Sequence, residues 1–181
     1  MTAALLLLAL AIQHPIPDAP LRRGTLSFDG RATLGDFVGR TDSVRGAMTG
    51  GPDLAHVAGW VEASVASLRT GNGKRDKDLR KSMEVEQYAA MRFNLEGVTP
   101  GDTVGDTIAV SLHGTLTIHG VQQAVSLPGR VWPTGDGLRL RSDFPINVRD
   151  FQVAGLSKLL GILKMNEHIV VHVDVTFGPS P

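Results

Sequence analysis

The sequence contains no cysteine and no excess of charge of either sign. The absence of cysteine in all 181 residues excludes disulfide bonds, thiolate nucleophiles and cysteine-based zinc sites. The 18 basic and 18 acidic residues cancel, so the chain lacks the positive field on which nucleic-acid binding depends. What is present is 42% apolar residues, 21 glycines and 10 prolines, which is typical of one folded domain with many turns and many short strands.

Signatures of catalysis are also missing. The chain has no G-x-S-x-G motif, no P-loop, no H-E-x-x-H motif and no Rossmann glycine pattern. Serine, histidine and aspartate are all present, but their spacing does not assemble them into a site. We therefore expect no enzymatic activity and no cofactor.

The longest apolar run covers residues 1–12 and ends before Gln13. It is shorter than the about 20 residues that span a bilayer, and it fits the hydrophobic region of an export signal. No basic residue precedes it, and the alternative is a buried N-terminal helix or strand. Residues 13–23, with three prolines, predict an extended linker. We expect residues 1–23 to be signal and linker, residues 24–181 to form one domain, and the location to be periplasmic or secreted.

Alternation of apolar and polar residues predicts that the domain is built of strands, since successive strand side chains point to opposite faces. The clearest inward row runs from Ile108 to Ile118, and a second runs from Ile169 to Phe177, with Val170, His172, Asp174 and Thr176 facing outward. Turns are predicted at 35–36, 50–53, 100–102 and 133–137. The predicted strands are 24–34, 37–48, 57–68, 91–96, 108–118, 123–131, 138–144 and 169–177.

Residues 67–83 interrupt this alternation and are the most charged part of the chain. Asp76 or Asp78 is predicted to begin a short helix there, because a carboxylate accepts free backbone N–H groups. Leu79 and Met83, four residues apart, would form its buried stripe. Asp76 and Arg80 would pair on the exposed side.

About eight strands joined by short turns predict an all-β fold, an antiparallel barrel with a short helical insertion. A two-sheet sandwich is the competing architecture. Residues 150–164 have helical leucine spacing, with Leu156 and Leu160 on the apolar side. This segment is either a plug packed against one barrel end or a mobile apolar flap at the mouth of a cavity.

The six histidines do not predict a metal site. His113 and His119 are six residues apart on one strand, about 20 Å, and His168 and His172 are about 13 Å apart. Ligands of one metal lie near 2 Å from it, so neither pair can share an ion. We expect these histidines to lie on the solvated outer face and expect no metal ligands; the alternative is a cross-strand site that uses one histidine from each pair.

The inward apolar row is the candidate ligand site. Either it packs into a filled core, or it lines a cavity that takes an apolar molecule through burial. The candidate lining residues are Phe28, Phe37, Leu79, Met83, Phe93, Leu112, Leu116, Leu140, Leu156, Leu160 and Phe177.

Several motifs resemble those of the YceI-like family of lipid-binding barrels, in the family's order over residues 24–178. The matching stretches are F-D-G at 28–30, F-V-G-R-T at 37–41, S-L-R-T-G-N-G-K-R-D at 67–76, M-R-F at 91–93, G-T-L-T-I-H-G at 114–120 and K-M-N-E at 164–167. One departure is Ala89-Ala90, where the family often has a proline. The resemblance implies a lipocalin-like barrel, export from the cytoplasm, and binding of a long polyisoprenoid such as a quinone tail, with no catalytic residues to carry over.

These observations favour a non-enzymatic protein that binds, transports or stores an isoprenoid or similar amphiphilic lipid inside the barrel. No nucleic-acid partner and no transmembrane span are expected, and a homodimer is left open. The alternatives are a structural or stress-related envelope protein with a filled core and no ligand, and an enzyme acting on a lipid held in the barrel.

Overall fold

The computed structural model describes residues 15–32, 35–153 and 166–179. Within these ranges nine strands and one α-helix follow one another, with short 3-10 helices at Leu54–His56 and Val148–Phe151. The elements are β1 Ala19–Gly30, β2 Phe37–Thr41, β3 Val44–Thr49, β4 Ala58–Ser64, α1 Gly73–Ser82, β5 Ala90–Val104, β6 Thr107–Ile118, β7 Val121–Thr134, β8 Gly137–Asn147 and β9 His168–Phe177.

The strands form one antiparallel sheet that closes on itself. Its order is β2-β1-β3-β4-β5-β6-β7-β8-β9, and β9 also pairs with β1 over most of that strand's length. Eight strands therefore make a closed barrel, and β2 is an additional strand beside β1. The prediction of an eight-stranded antiparallel barrel is confirmed, and the sandwich alternative is wrong.

The segment 37–48, predicted as one strand, is divided into β2 and β3. The Thr41 hydroxyl oxygen accepts a hydrogen bond from the Ser43 backbone N–H at 3.0 Å and is 2.6 Å from the Ser67 hydroxyl. This local turn redirects the chain at residues 42–43. As a result β2 pairs with the second half of β1, while β3 pairs with β4 and with the start of β1.

Other boundaries also differ from the predicted ones. β1 begins at Ala19, inside the predicted linker, because Ala19 and Pro20 pair with β3 and a bulge after Leu21 leads into the pairing with β9. Residues 100–102 do not turn the chain; they form an irregularity within β5, and the turn follows at 105–106. β7 and β8 are longer than expected, since the turn between them is limited to residues 135–136.

Alternate side chains of each strand point into the barrel. On β6 the predicted inward residues Val110, Leu112, Leu116 and Ile118 are all buried. On β9 the inward row is also buried or half-buried, but Thr176, predicted to face solvent, is 1% exposed. Thr176 lies between Arg23 of β1 and Arg139 of β8 in the sheet, so it is covered on the outer wall. No helix among the described residues is both long and apolar enough to cross a membrane.

Candidate functional site

The inward rows leave a cavity in the half of the barrel that α1 covers, which we call the helix-side chamber. Its volume is about 130 Å³. Side chains from β1, β4, β5, β6, β7, β8 and β9 line it together with residues of α1 and of the Val148–Phe151 3-10 helix. Nearly all of these side chains are hydrocarbon, so the chamber offers burial rather than polar recognition.

Helix α1 covers this chamber. Its first turn is fixed by two side chains, those of Asn72 and Asp76. Asn72 is the N-cap, and its side-chain oxygen accepts from the Arg75 backbone N–H at 3.0 Å. The predicted caps Asp76 and Asp78 lie within the helix instead. Leu79 and Met83, buried as predicted, point into the chamber from the far end of the helix.

Asp76 ties the helix to the loop that precedes it. Its Oδ1 accepts hydrogen bonds from the Thr70 backbone N–H at 2.8 Å and from the Thr70 hydroxyl at 2.6 Å. Burial alone would raise the pKa of Asp76, but the two bonds from Thr70 and the nearby Arg69 and Arg80 outweigh it, so its pKa lies below the ordinary 3.8. The predicted exposed pair with Arg80 is wrong, because Asp76 is only 6% exposed.

Two polar residues lie among those that line the chamber, and each is already engaged. The Ser142 hydroxyl donates to the Pro128 carbonyl at 2.5 Å. The Arg92 guanidinium lies on the face opposite Phe93, where it donates to Asn94 at 2.8 Å and to Glu62 at 3.3 Å and lies 4.2 Å from the centre of the Trp60 ring. The described lining is therefore suited to an apolar chain, and the polar groups of Ser142 and Arg92 are held by protein partners.

A second cavity, which we call the far chamber, lies beyond the first and has a volume of about 60 Å³. Its lining includes Met48, Leu54, Val57, Leu138 and Phe177. The residues that line both chambers are Val61, Phe93, Leu112 and Leu140.

Comparison with known proteins establishes what kind of barrel this is. The YceI-like domain profile matches residues 21–177. The chain belongs to the YceI-like family. No curated protein matches the sequence.

Solved structures share the YceI-like fold at low sequence identity. A polyisoprenoid-binding domain from Saccharophagus degradans, implicated in plant cell wall breakdown, has a TM-score of 0.75 and 18% identity, covering 90% of this chain and 98% of that one. BcnA of Burkholderia cenocepacia has a TM-score of 0.71 and 18% identity, covering 84% and 94%. The Campylobacter jejuni YceI protein has a TM-score of 0.60 and 20% identity, covering 78% and 85%.

The structure brings most of the predicted site residues to the two chambers, although ligand contact by any of them stays a prediction. The helix-side chamber is lined by Phe28, Leu79, Met83, Phe93, Leu112, Leu116 and Leu140. Phe177 lies at the far chamber.

Phe37 is placed differently from its predicted position. Its ring packs edge-on against Phe28, with 6.1 Å between the centroids, and lies 4.1 Å from the Arg75 guanidinium. It supports Phe28 from behind and does not line either chamber. Leu156 and Leu160 lie outside the described residues, so the choice between plug and flap for their segment stays open.

The candidate list missed most of the YceI-like barrel's lining. Some of the missed residues lie on the inward rows that alternation had already identified on β6 and β9, and were left out only when the candidates were chosen. The residues missed in the helix-side chamber include Leu26, Val61, Leu68, Met91, Ile118, Leu127, Phe144, Ile146, Val148, Val153, Ile169, Val171 and Val173.

The five histidines among the described residues line neither chamber. Within 15–32, 35–153 and 166–179 no three histidine, aspartate or glutamate side chains are close enough to hold a metal ion. His119 is not solvated as predicted: its side chain is 10% exposed, bonds to Glu84 at 2.8 Å and packs on Tyr88. It lies in the β6–β7 turn with a φ of 52°, which rotates it away from the outer row of β6.

Proposed function

We propose that this YceI-like barrel binds the apolar tail of a long-chain lipid, a polyisoprenoid or quinone-like molecule, without chemically changing it. The observation that supports this is the helix-side chamber, whose lining is hydrocarbon apart from Ser142 and Arg92, both of which have partners. A lining of this kind selects by burial, which contributes about 25 cal/mol for each Å² of apolar surface removed from water.

An empty apolar chamber is itself unfavourable. Such cavities stay dry, and the side chains that line them lack contacts on one side. A hydrocarbon tail would restore those contacts and would stabilise the folded protein by mass action. This argument favours a bound lipid over a barrel that works without a ligand.

The polar end of such a lipid would lie outside the lining, because the chamber gives it no free partner and burying it unpaired would cost several kcal/mol, on the order of 2–7. The lipid would therefore enter tail-first. A protein that shields only the tail is suited to transport or storage, and we propose that role for it.

Two further observations support the proposal. The Saccharophagus degradans relative is a polyisoprenoid-binding domain. The apolar run at residues 1–12 has the character of an export signal, and we propose that the protein acts in the periplasm or outside the cell.

The test is organic extraction of the purified protein followed by mass spectrometry, and then uptake of a prenyl alcohol or quinone by the stripped protein. We expect one or a few isoprenoid lipids, recovered unchanged after incubation. Leu116→Trp should fill the chamber and reduce the amount of lipid, whereas Gln122→Trp, exposed on β7, should not.

A purified protein that contains no lipid and takes up neither a quinone nor a prenyl alcohol would instead indicate a structural role with a filled core. Conversion of the lipid during incubation would indicate an enzyme.

A further inference from the structure

The two chambers meet at four side chains that line both of them, and we call this boundary the waist. Val61 comes from β4, Phe93 from β5, Leu112 from β6 and Leu140 from β8. Each lies on the inward row of its strand, so the waist is part of the barrel wall. The position of these four side chains decides whether the lumen is one space or two.

Phe93 reaches into the lumen through a gap in the neighbouring strand. The inward row of β6 has large side chains at Leu112 and Leu116, but glycine at 114 between them. A Cβ at that position would lie 3.1 Å from Phe93 Cζ, so the end of the ring lies over the glycine. The ring can adopt this position because Gly114 has no side chain.

The other side of the waist has the same construction. Gly129 lies on the inward row of β7, and a Cβ there would be 3.2 Å from Leu140 Cδ1 and 3.3 Å from Leu112 Cδ1. Two leucines from neighbouring strands therefore converge over the glycine. Two inward glycines, one on β6 and one on β7, are thus each covered by bulky side chains of neighbouring strands.

The far chamber beyond the waist has the same chemistry as the helix-side chamber. Its volume of about 60 Å³ is nearly half of the about 130 Å³ of the helix-side chamber. Its described lining is apolar, with Met48, Leu54 and Val57 on one side and Val131, Leu138 and Phe177 on the other. A tail that passed the waist would gain additional burial there.

We propose that the waist sets the length of the lipid tail that the barrel accepts, and that Phe93 is the residue that determines it. This inference rests on the proposed function. A tail in the helix-side chamber ends against the Phe93 ring, and units beyond that length find no further burial. Phe93 is the determinant because it is the one aromatic of the four and the one whose ring end covers a glycine gap.

The experiment measures the affinity of the delipidated protein for farnesol, geranylgeraniol and solanesol by competition with a fluorescent apolar probe. For the wild type we expect affinity to rise with length and then to stop rising. Phe93→Leu opens the waist, so the plateau should move to a longer alcohol. The variant should bind that longer alcohol about tenfold more tightly than the wild type does, a difference of about 1.4 kcal/mol in binding free energy. Leu140→Val is a milder change at the same waist and should shift the preference in the same direction.

The matched control is Phe144→Leu, since Phe144 lines the helix-side chamber but not the far chamber. It removes the same volume without joining the chambers, so the plateau should stay at the wild-type length. Binding with an unchanged plateau in both waist variants, or an equal shift in Phe144→Leu, would overturn the inference and leave the proposed function intact. Absence of binding at every length by the wild type would overturn both.

Discussion

Asp143 and Asp29 hold His172 from two neighbouring strands on the outer wall of the barrel. His172 Nδ1 is 2.6 Å from Asp143 on β8, and its Nε2 is 3.2 Å from Asp29 on β1. The bond with Asp143 is the largest cause that raises the pKa of His172 above its ordinary 6.5. The bond with His172 is in turn the largest cause that lowers the pKa of Asp143 below 3.8, with Arg141 adding to it.

These shifts predict how the cluster's contribution to stability depends on pH. The His172 contribution is complete below 6.5 and is lost as pH rises through the raised pKa, whereas that of Asp143 is complete above 3.8 and is lost as pH falls through the lowered pKa. His172→Gln should therefore lower the unfolding midpoint by about 1–4 °C near about pH 5 and much less near about pH 9.

Thermal unfolding at the two pH values checks this prediction. His168→Gln, exposed on the same strand, is the matched control. Comparing the change in unfolding midpoint of the two variants at each pH separates the contribution of the cluster from the general effect of losing a histidine. A deficit of equal size at both pH values for His172→Gln would show that the carboxylates do not stabilise the charged ring.

Asp76 and His119 show where single residues could not be predicted from sequence. Asp76 stands in a run of charges, and such runs are solvated on most helices, so the pattern favoured exposure. Its burial depends on Thr70, whose two donors are brought to it by a loop conformation that has no periodicity. His119 follows the alternation of β6 by position, but the strand ends one residue earlier.

At the scale of elements, the long hairpin of β5 and β6 depends on the close approach of two backbones at Gly114. A Cβ at this position would lie 2.0 Å from the Asn94 carbonyl oxygen, a distance that no side chain tolerates. The pairing register shifts between Leu95 and Gly97, directly alongside. Glycine at 114 is thus needed for the strands to meet, as well as for the Phe93 ring to cover it.

Gly114→Ala should therefore destabilise the protein by about 1–3 kcal/mol, because the two strands must move apart around the new methyl group. Gly97→Ala is the control on the same strand pair, since a Cβ there meets nothing within 4 Å. Its effect should stay within about 0.5 kcal/mol. Chemical denaturation of both variants gives the comparison, and equal losses would show that the close approach at Gly114 is relieved without cost.

Element types were better predicted than element limits. Alternation identified β6 and β9 because one face is apolar along the whole strand. It did not separate β2 from β3, since the local bond between Ser43 and Thr41 has no periodicity and Thr41 also contacts Ser67, which is 26 positions away in the chain. It also placed a turn at 100–102, where proline and glycine instead form an irregularity inside β5.

At the scale of the whole molecule, the barrel is predictable because one simple rule repeats on every strand. Short turns make neighbours antiparallel, and one apolar face on each strand requires a closed interior. The two chambers and the waist could not be predicted from that rule, because they depend on which inward positions are glycine and on how neighbouring side chains fill the gaps.

Phe93→Asp tests the inward face as a whole. A carboxylate at the waist has no described partner in the apolar lining, so the fold should lose about 3–5 kcal/mol or the protein should fail to take up a prenyl alcohol. Asn94→Asp, the next residue on β5, places the same charge on the other face beside Arg92 and should be tolerated. Urea unfolding measures the stability of both variants, and an uptake assay measures their lipid binding. Wild-type stability and uptake in Phe93→Asp would refute the assignment of the inner wall.

The pairing of β1 with β9 also determines the order in which the chain can fold. Asp29 and His172 meet across this part of the barrel although they are 143 positions apart in the chain. Joining segments so distant costs more chain entropy than forming any of the hairpins from β5 to β8. The pairing of β1 with β9 should therefore form last and slowly. Until it does, the chain is an open sheet with two free edges that invite pairing with other chains. The enclosed lumen is therefore the last feature of the fold to form, and the period before closure is when the protein is most exposed to aggregation.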